Sequence, residues 1–419
     1  MKKIKIGVIG LGYVGLPVSV AFSEKYDVVG YDINSDRVEL LNKSEDNTLE
    51  ISSNKLKHAL NKNLKITSKV SDIKSCNFYI VTVPTPINKD KTPDLTALIS
   101  ATNLVGKMLT NGDIVVYEST VYPGCTEEIC VPILEKESNL KFNKDFYCGY
   151  SPERINPGDN KHTIDKIVKV TSGSTKKIAI QIDEIYSSVI SAGTFMAESI
   201  KVAEAAKVIE NTQRDINIAF INELAKIFEK MGIDTNDVLD AASTKWNFLN
   251  FRPGLVGGHC IGVDPYYLAD KSIKSGYFPN MILAGREIND SMSGFICDNI
   301  FKMLNEKKLK STNALVMGVT FKENCPDFRN TKVLDLIVEL KKKINVDIFD
   351  PWVEKKMFEK QTGLLLTEQP INKKYDLIIM AVSHKIFQEI DLDNYKKDKS
   401  AIIYDIKGSL DKKIITARL

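Results

Sequence analysis

Residues 252–268 read RPGLVGGHCIGVDPYYL and hold a cysteine whose position suits covalent catalysis. Asp264 and Pro265 are typical of a helix N-cap and a first helical residue, so Cys260 is expected near a helix N-terminus. The positive end of the helix dipole favours a thiolate, the form that attacks a carbonyl carbon. The residues alone also allow plainer interpretations: a buried inert Cys260, an Asp264 that only caps the helix, and a His259 that only belongs to the loop.

A glycine-rich turn, GLGYVG at 10–15, is the second place where the sequence predicts a binding site. It follows an apolar strand pattern at 4–9 and opens a helical pattern, as dinucleotide-binding turns do. Gly10 permits the tight turn, Gly12 lets the backbone approach a pyrophosphate, and Gly15 lets helix and strand pack closely. The helix N-terminus then offers free N–H groups to phosphate. A glycine turn that binds no nucleotide is the alternative interpretation.

The strand after this turn ends at Asp32, whose carboxylate can bond both ribose hydroxyls of a dinucleotide. The same carboxylate repels a 2′-phosphate, which favours NAD over NADP. Arg37 allows two interpretations. It could attract a 2′-phosphate and so favour NADP, or it could lie over the adenine. Together with Tyr13 and Val14 inside the turn, these residues form the predicted cofactor site.

The glycine turn belongs to a series of apolar strand patterns that alternate with helical ones, the first helix covering Leu16–Lys25. Continuously apolar strands separated by helices predict a parallel sheet covered on both faces. The strand patterns of this first part are 4–9, 27–31, 78–83, 113–117 and 146–150. We therefore predict an NAD-binding Rossmann domain over residues 1–195.

Residues 197–232 form one long helical pattern, rich in Ala, Glu, Lys and Ile, without proline and ending at Gly232. At 1.5 Å per residue such a helix would reach roughly 50 Å, longer than most globular helices. A helix of this length usually spans two domains or forms a subunit interface. Residues 196–308 are therefore predicted to form a central helical and dimerisation domain.

A second alternating series follows in residues 309–419, which we predict to form a smaller α/β domain. Its strand patterns are 313–322, 345–351, 375–382 and 401–406. Because it contains no glycine-rich turn, it is expected to bind something other than a dinucleotide. The predicted fold class is α/β, with two Rossmann-like parallel-sheet domains joined by the long central helix and the helical middle domain.

Composition argues against several other classes of function. Hydrophobic residues make up 43% and charged residues 26% of the 419 residues, as in an ordinary globular protein. The formal net charge of +3, with lysines interleaved among acids, predicts no nucleic-acid surface. There is no run of about 18 apolar residues, so no membrane span is predicted, and the N-terminal apolar stretch lacks a signal-peptide cleavage site.

The seven cysteines are odd in number, widely spaced and without a CxxC pair. This pattern argues against a disulfide framework and against a zinc site, so no metal is expected. It is typical of a reducing compartment, and we predict a cytoplasmic protein.

Seven motifs, spread over nearly the whole chain, resemble those of the UDP-glucose/GDP-mannose dehydrogenase family in their order. They are GLGYVGLP at 10–17, VPTP at 83–86, EST at 118–120, SPER at 151–154, KVIEN at 207–211, GGHCIGVD at 257–264 and FKENCPDFRNTK at 321–332. The ordered set is far more specific than any one motif, and it favours a catalytic Cys260. The resemblance implies a C-terminal domain that binds a UDP-sugar and a homodimer built around the long helix.

The resemblance also implies a four-electron oxidation with two NAD+ used in succession. A first hydride leaves C6 of the sugar to give an aldehyde, to which the Cys260 thiolate adds as a thiohemiacetal. Loss of a second hydride leaves a thioester, which water hydrolyses to the carboxylate. The cysteine retains the aldehyde, so no free intermediate is expected.

The resemblance assigns roles to residues around this chemistry. Lys207 and Asn211, four apart on the long helix and so on one face, can donate hydrogen bonds to the oxygen that becomes negative during attack. Asp264 is expected to take part in proton transfer, with Thr120 positioning the water that Asp264 activates. Glu153 matches the glutamate that the family assigns to the hydrolysis step.

Further residues are predicted to bind the ligands. Lys322 matches a substrate-binding lysine, Arg329 matches an arginine that faces NAD, and Thr85 is expected to line the cofactor cleft. Arg252 precedes the cysteine loop, where a guanidinium can hold the diphosphate or the nascent carboxylate. The predicted substrate-binding set is Glu153, Arg154, Lys207, Asn211, Arg214, Arg252, Gly257 and Lys322. The predicted cofactor-binding set is Gly10, Gly12, Tyr13, Val14, Gly15, Asp32, Arg37, Thr85, Thr120 and Arg329.

One departure from the family bears on the sugar. UDP-glucose dehydrogenases usually carry a lysine just before the aspartate of the cysteine motif, whereas this chain has Val263. The string GGHCIGVDPYYL instead resembles dehydrogenases of UDP-N-acetylhexosamines, which serve capsule, O-antigen and other surface polysaccharides. UDP-N-acetylglucosamine is the predicted substrate, ahead of UDP-N-acetylgalactosamine, UDP-N-acetylmannosamine and UDP-glucose.

Two other functions compete with this one. A two-electron β-hydroxyacid dehydrogenase shares the first sheet and the long helical domain, but it needs neither the cysteine nor a second α/β domain. A non-catalytic protein that binds NAD and a nucleotide sugar would not need the intact set Cys260, Lys207, Asn211, Asp264 and Glu153.

Overall fold

A computed structural model describes residues 3–154, 164–258, 261–309, 312–369 and 373–419. The contacts divide the chain into two compact units. The first unit comprises Met1–Glu210 and Tyr266–Tyr277, and the second comprises Asn211–Pro265 and Phe278–Leu419. The three-part division with boundaries at 195 and 308 stays a prediction.

A six-stranded parallel sheet forms the centre of the first unit. Its strands are β1 (Lys5–Ile9), β2 (Asp27–Tyr31), β3 (Leu64–Thr67), β4 (Phe78–Val81), β5 (Ile114–Tyr117) and β6 (Tyr147–Tyr150). They lie in the order β3-β2-β1-β4-β5-β6, and every neighbouring pair is parallel. This is the strand order of dinucleotide-binding sheets, in which ligands bind at the carboxyl ends of the strands near the β1–β4 switch point.

Helices connect these strands, as crossovers between parallel strands require. They are α1 (Gly15–Ser23), α2 (Ser35–Asn42), α3 (Ser53–Lys62), α4 (Thr96–Gly106) and α5 (Val131–Ser138), and a further helix, α6 (Lys176–Ser187), follows the sheet. A parallel pair of short strands, β7 (Lys169–Thr171) and β8 (Thr194–Met196), completes the unit. Ile6, Val8, Phe78 and Ile80 of the central strands are fully buried, which explains the continuous apolar runs in the sequence.

Some predicted elements end earlier than their patterns. β4 stops at Val81 rather than at Val83. α1 ends at Ser23, two residues before the predicted end.

The longest element is α7 (Ile200–Met231), whose 32 residues extend about 48 Å. It confirms the predicted long helix. Gly232 follows it with φ +68°, a left-handed conformation suited to a C-terminal stop. The next helices are α8 (Thr235–Ala242), α9 (Asp264–Lys274), α10 (Asn280–Asp290) and α11 (Met292–Glu306).

A second parallel sheet organises the C-terminal part of the second unit. Its strands are β9 (Asn313–Met317), β10 (Asn345–Phe349), β11 (Leu377–Met380), β12 (Ile402–Asp405) and β13 (Ala417–Arg418), and they lie in the order β10-β9-β11-β12-β13. The helices of this part are α12 (Lys332–Lys341), α13 (Lys355–Thr362) and α14 (Lys385–Gln388). The predicted α/β fold with two Rossmann-like sheets is thus confirmed.

Among the described residues, no helix combines the length and the apolar character that a membrane crossing needs. Within the same residues, no group of three or more His, Cys, Asp or Glu is arranged to hold a metal ion.

Candidate active site

The glycine-rich turn between β1 and α1 has the geometry that a pyrophosphate needs. Gly10 adopts φ +95°, and a Cβ on Gly15 would lie 1.8 Å from Gly10 O, so neither position tolerates a side chain. Among the described atoms, none beyond the chain neighbours lies within 4 Å of where a Cβ on Gly12 would stand. The backbone at Gly12 is therefore open to a ligand, and NAD fits the turn.

Asp32, at the end of β2, lies against this turn. Its Oδ2 accepts a hydrogen bond of 2.7 Å from the Leu11 N–H, and its Oδ1 accepts one of 2.9 Å from the Asn34 N–H. A carboxylate beside the turn can also bond ribose hydroxyls and repel a 2′-phosphate. The adjoining Ile33 side chain, not predicted from the sequence, is 84% exposed and offers an apolar surface suited to an adenine ring.

The Arg37 side chain braces the turn from within the protein. Its Nε donates a hydrogen bond of 3.0 Å to Leu11 O, and its guanidinium forms an ion pair of 2.8 Å with Asp46. A contact of Arg37 with ribose phosphate or with adenine would have to coexist with these bonds. Its role in cofactor binding stays a prediction.

The other predicted cofactor residues of the first unit are partly exposed. Tyr13 and Val14 lie within the turn, while Thr85 and Thr120 follow β4 and β5. Because the carboxyl ends of parallel strands meet at one edge of a sheet, Thr85 and Thr120 lie at the edge that carries the glycine turn.

A lysine lies between two glutamates at the carboxyl ends of β5 and β6. Lys169 Nζ is 2.6 Å from Glu118 Oε2 and 3.2 Å from Glu153 Oε2. The Tyr186 hydroxyl donates a hydrogen bond of 2.5 Å to Glu118 Oε1. Burial raises the pKa of Glu118 to about 7. Only Glu153 was predicted at this place; Glu118 stands in the EST motif beside Thr120, whereas Lys169 belongs to none of the motifs.

Arg154, the neighbour of Glu153, is paired within the first unit. Its Nε donates a hydrogen bond of 2.9 Å to Glu210 Oε1, and its Nη1 donates one of 2.9 Å to Val168 O. The guanidinium thus ties the segment after β6 to helix α7. These contacts make Arg154 a brace of the Glu153 segment, while substrate binding by Arg154 stays a prediction.

Helix α7 carries two buried ionisable side chains in the first unit. Glu204 accepts hydrogen bonds from the Gly124 N–H at 2.5 Å and the Thr126 N–H at 2.9 Å, which hold the turn that follows Thr120. Burial raises the pKa of Glu204 to about 7. Lys207 lies one turn further along the helix and is 8% exposed.

In the second unit, the Asn211 side-chain amide donates a hydrogen bond to Asp264 Oδ2. Asp264 is the first residue of α9 and is 1% exposed. Two predicted catalytic residues, 53 positions apart in the sequence, are therefore in direct contact. His259 and Cys260 lie outside the described residues.

The glycines before Cys260 pack against the segment 318–331 that follows β9. Gly258 has φ +83°, and its N–H donates a hydrogen bond of 3.2 Å to Asn330 O. A Cβ on Gly257 would lie 2.5 Å from the same carbonyl oxygen, and a Cβ on Gly258 would lie 2.8 Å from the Phe321 ring. The close backbone approach at this glycine pair is therefore made to a neighbouring segment of the same unit.

The same segment presents Lys322 and Arg329. The Thr320 hydroxyl donates a hydrogen bond of 2.8 Å to the Lys322 carbonyl, which fixes the backbone there. Arg329 forms an ion pair of 2.6 Å with Asp327, and its side chain is 48% exposed. Lys322 is partly exposed, so both side chains have surface for a ligand.

A buried histidine that was not predicted supports this segment. His384 Nδ1 accepts a hydrogen bond of 2.8 Å from the Asn324 N–H, and His384 Nε2 lies 3.1 Å from Asp350 Oδ2. Since Nδ1 is an acceptor, Nε2 carries the proton and donates it to the carboxylate. His384 thereby fixes the backbone two residues after Lys322.

Arg252 and Arg214, the two less specific predictions, occupy different surroundings. Arg252 forms an ion pair of 2.6 Å with Asp240 of α8. Arg214 is exposed on α7. The chain after Arg252 is held by Asn222, whose side chain donates to Gly254 O at 3.0 Å and accepts from Gly254 N–H at 2.8 Å.

Within each unit the predicted residues form two neighbourhoods: the glycine turn with Asp32 and the Glu153 cluster in the first, and the Asn211–Asp264 pair and the Gly257 segment in the second. Four of the predicted arginines each form an ion pair with a different carboxylate of the protein. The pairs are Arg37–Asp46, Arg154–Glu210, Arg252–Asp240 and Arg329–Asp327.

Comparison with protein families agrees with this arrangement along the chain. Residues 4–190 match the NAD binding domain of the UDP-glucose/GDP-mannose dehydrogenase family, residues 201–291 its central domain and residues 315–412 its UDP binding domain. The cofactor is therefore NAD, and the predicted class of enzyme, an NAD-dependent nucleotide-sugar dehydrogenase, is confirmed.

Individual relatives extend over nearly the full chain. The UDP-N-acetyl-D-glucosamine 6-dehydrogenase of Salmonella typhi is 55% identical and covers 97% of this chain and 96% of its own. The protein of the same name from Pseudomonas aeruginosa is 55% identical and covers 98% of both chains. The structure of UDP-D-ManNAc dehydrogenase from Pyrococcus horikoshii has a TM-score of 0.89 and 29% identity, covering 99% of this chain and 98% of its own. On this evidence the chain belongs to the UDP-glucose/GDP-mannose dehydrogenase family.

Proposed function

We propose that this protein oxidises the C6 hydroxymethyl group of UDP-N-acetyl-D-glucosamine to a carboxylate, with two NAD+ consumed per sugar. The observation that carries the choice of sugar is 55% identity, across at least 96% of each chain, with two proteins named for this activity. Identity with the UDP-D-ManNAc dehydrogenase of known structure is lower, at 29%. UDP-N-acetylgalactosamine, which differs in the direction of one hydroxyl, is the closest competitor, followed by UDP-N-acetylmannosamine and UDP-glucose.

NAD+, when bound, supplies the hydride acceptor for both oxidations. The open backbone at Gly12 would hold its pyrophosphate, and the Asp32 carboxylate would hold its ribose. In this proposal Lys322 binds the UDP-sugar and Arg329 binds NAD.

The covalent steps depend on Cys260 and on two donors from helix α7. An oxyanion forms when the thiolate adds to the aldehyde and again when water adds to the thioester. Lys207 and Asn211 stabilise it, because their spacing of four residues puts both on one helix face. Asp264 orients the Asn211 amide through their hydrogen bond. In this proposal Asp264 also takes part in proton transfer during the reaction.

The hydrolysis step needs a base and an oriented water. Glu153 serves as the base in this proposal, in place of the activation of water that the sequence led us to expect of Asp264, and Thr120 positions the water. Glu153 is held at the carboxyl end of β6 by the Lys169 ammonium, which is 3.2 Å from its Oε2. Use of the product in surface polysaccharide synthesis stays a prediction.

A homodimer is part of the proposal, and helix α7 supports it. Five apolar side chains of this helix are 45% or more exposed: Val202, Ile209, Phe220, Ile227 and Met231. At 100° per residue their spacings of seven, eleven, seven and four place all five on one narrow stripe of the helix, as a helix–helix contact requires. Phe220→Glu should therefore convert a dimer into a monomer in light scattering, and an unchanged mass would refute this interface.

A cytoplasmic location is also proposed. The six described cysteines are all free and buried, as expected in a reducing compartment.

The experiment that tests the function follows NADH absorbance with UDP-N-acetylglucosamine, UDP-N-acetylgalactosamine, UDP-N-acetylmannosamine and UDP-glucose in parallel. About two NADH per sugar with a clear preference for the first would support the proposal. One NADH per sugar would refute the four-electron reaction, and preference for another sugar would refute the substrate. A Cys260→Ala variant should lose turnover while it keeps ligand binding; a wild-type protein that binds without turnover would favour a non-catalytic role.

A further inference from the structure

A single buried lysine contacts both glutamates at the carboxyl edge of the first sheet. The side chains of Lys169, Glu118 and Glu153 are 3%, 0% and 10% exposed. Lys169 Nζ is 2.6 Å from Glu118 Oε2 and 3.2 Å from Glu153 Oε2, so both bonds are short enough to be direct ion pairs. This cluster has no assigned role in the reaction apart from that of Glu153.

Each member of the cluster is fixed by the sheet. Glu118 follows β5 and Glu153 lies three residues beyond β6, and these strands are parallel neighbours. Lys169 opens β7, and Tyr186 of α6 closes the cluster with its hydroxyl bond of 2.5 Å to Glu118 Oε1. Lys169 Nζ also lies 5.8 Å from the centroid of the Tyr186 ring. The ammonium therefore has little freedom to leave Glu153.

The charges decide what this arrangement does. Two carboxylates and one ammonium would carry a net charge of −1, and burying an uncompensated charge is costly. Burial raises the pKa of Glu118 to about 7. Burial lowers the pKa of Lys169, but the two neighbouring carboxylates raise it by more. The pKa of Lys169 is therefore raised, and the lysine keeps its positive charge. An ammonium next to a carboxylate favours its charged form, so loss of the Lys169 charge would disfavour a charged carboxylate in this cluster.

We propose that Lys169 is a positioning residue for thioester hydrolysis, which holds the Glu153 carboxylate in place, while Glu118 anchors the lysine from the opposite side. The inference rests on the proposed function and on the base role of Glu153. In the step, the Glu153 carboxylate takes a proton from water as the water oxygen bonds to the thioester carbon. The C–S bond breaks, sulfur leaves as the Cys260 thiolate, and the new carboxylic acid releases its remaining proton to solvent.

The test compares Lys169→Met, which removes the charge, with Lys169→Arg, which keeps it. Lys62→Met is the matched control, because Lys62 forms an ion pair of 2.8 Å with Glu24 on the surface, where its side chain is 41% exposed. NADH formation from UDP-N-acetylglucosamine is followed by rapid mixing and in the steady state, across pH. If Lys169→Met does not fold, Lys169→Gln removes the same charge and keeps a hydrogen-bonding group.

Lys169→Met should keep a rapid burst of about two NADH per active site and lose roughly 10- to 100-fold in steady-state kcat, because only hydrolysis is slowed. The acidic limb of its kcat profile should move about one unit toward higher pH, since the neighbouring positive charge is gone. Lys169→Arg should restore most of kcat and the wild-type limb, and Lys62→Met should match wild type.

Two results would overturn the inference. One is a Lys169→Met enzyme with wild-type kcat and pH dependence; the other is an equal loss of burst and steady state with an unmoved acidic limb, which indicates general damage. These are distinguishable from failure of the proposed function, because that failure appears in the wild-type enzyme as the absence of two NADH per sugar.

Discussion

The Asn211 side-chain amide donates a hydrogen bond to Asp264 Oδ2, which joins helix α7 to the first residue of helix α9. Asp264 is 1% exposed, so its carboxylate depends on donors from the protein rather than on water. Removing such a donor costs about 1–3 kcal/mol, because the remaining polar group is left buried without it. The hydrogen bond therefore fixes the direction of the Asn211 amide and the position of the Asp264 carboxylate.

Asn211→Ala should lower kcat by about 10²- to 10³-fold with a smaller change in KM, because it removes a donor to the oxyanion. Steady-state NADH formation measures both constants. Asn217→Ala on the same helix, where the exposed side-chain amide bonds Gln213 O, is the control and should stay within about twofold of wild type. A comparable loss in both variants would assign the effect to the helix instead of the oxyanion.

Gly12 and Gly15 should respond differently to alanine. Gly15→Ala places a Cβ 1.8 Å from Gly10 O and should lower stability by about 1–3 kcal/mol or more, because α1 must move off β1. Gly12→Ala meets no heavy atom within 4 Å among the described residues, so the fold should keep its Tm while NAD binding weakens about tenfold or more. Thermal unfolding and NAD titration separate the two; equal losses of Tm would contradict this account of the turn.

Asp32→Asn should shift cofactor preference toward NADP. The amide keeps an acceptor for the Leu11 N–H but loses the charge that repels a 2′-phosphate. We expect the ratio of kcat/KM for NAD over NADP to fall at least about tenfold, equivalent to roughly 1.4 kcal/mol. Asp36→Asn, in the first turn of α2, serves as the control for loss of one nearby charge. An unchanged ratio in Asp32→Asn would mean that another group excludes NADP.

The stability of the protein should depend on pH through Glu204. Burial raises its pKa from the usual 4.5 to about 7 in the folded state, so its contribution to stability is fully present below about 4.5 and is lost as pH rises through 7. The free energy of unfolding of wild type minus that of Glu204→Gln should therefore fall by roughly 1–3 kcal/mol between pH 4.5 and 8. Urea unfolding at several pH values measures it. The exposed Glu198→Gln should show a constant difference; a rising difference for Glu204→Gln would reverse the assigned sign.

Much of the fold followed from local patterns. The apolar runs at β1 and β4 mark buried parallel strands, because both faces of such a strand are covered and every side chain is apolar. The turn at 10–15 was recognisable because the needs of Gly10 and Gly15 come from backbone geometry within a few residues. Helix α7 was recognisable from its composition and from Gly232, which ends it.

Pairing of charges was not predictable in this way. Lys169 meets Glu118 across 51 positions and Glu153 across 16, and nothing in its own segment distinguishes it from a surface lysine. Arg154 was predicted to bind substrate, yet it contacts Glu210 across 56 positions.

By itself, then, the sequence determined the two parallel sheets, the nucleotide turn, the long helix and the family, since periodicity, glycine sterics and ordered motifs are properties of neighbouring residues. Only the tertiary structure decided that Lys169 lies between Glu118 and Glu153. The same holds for the hydrogen bond between Asn211 and Asp264 and for the close packing of Gly257 against the Asn330 carbonyl. The physical reason is that an ion pair or a hydrogen bond needs atoms within about 3 Å, and strand order and helix crossing, rather than local sequence, bring such distant residues that close.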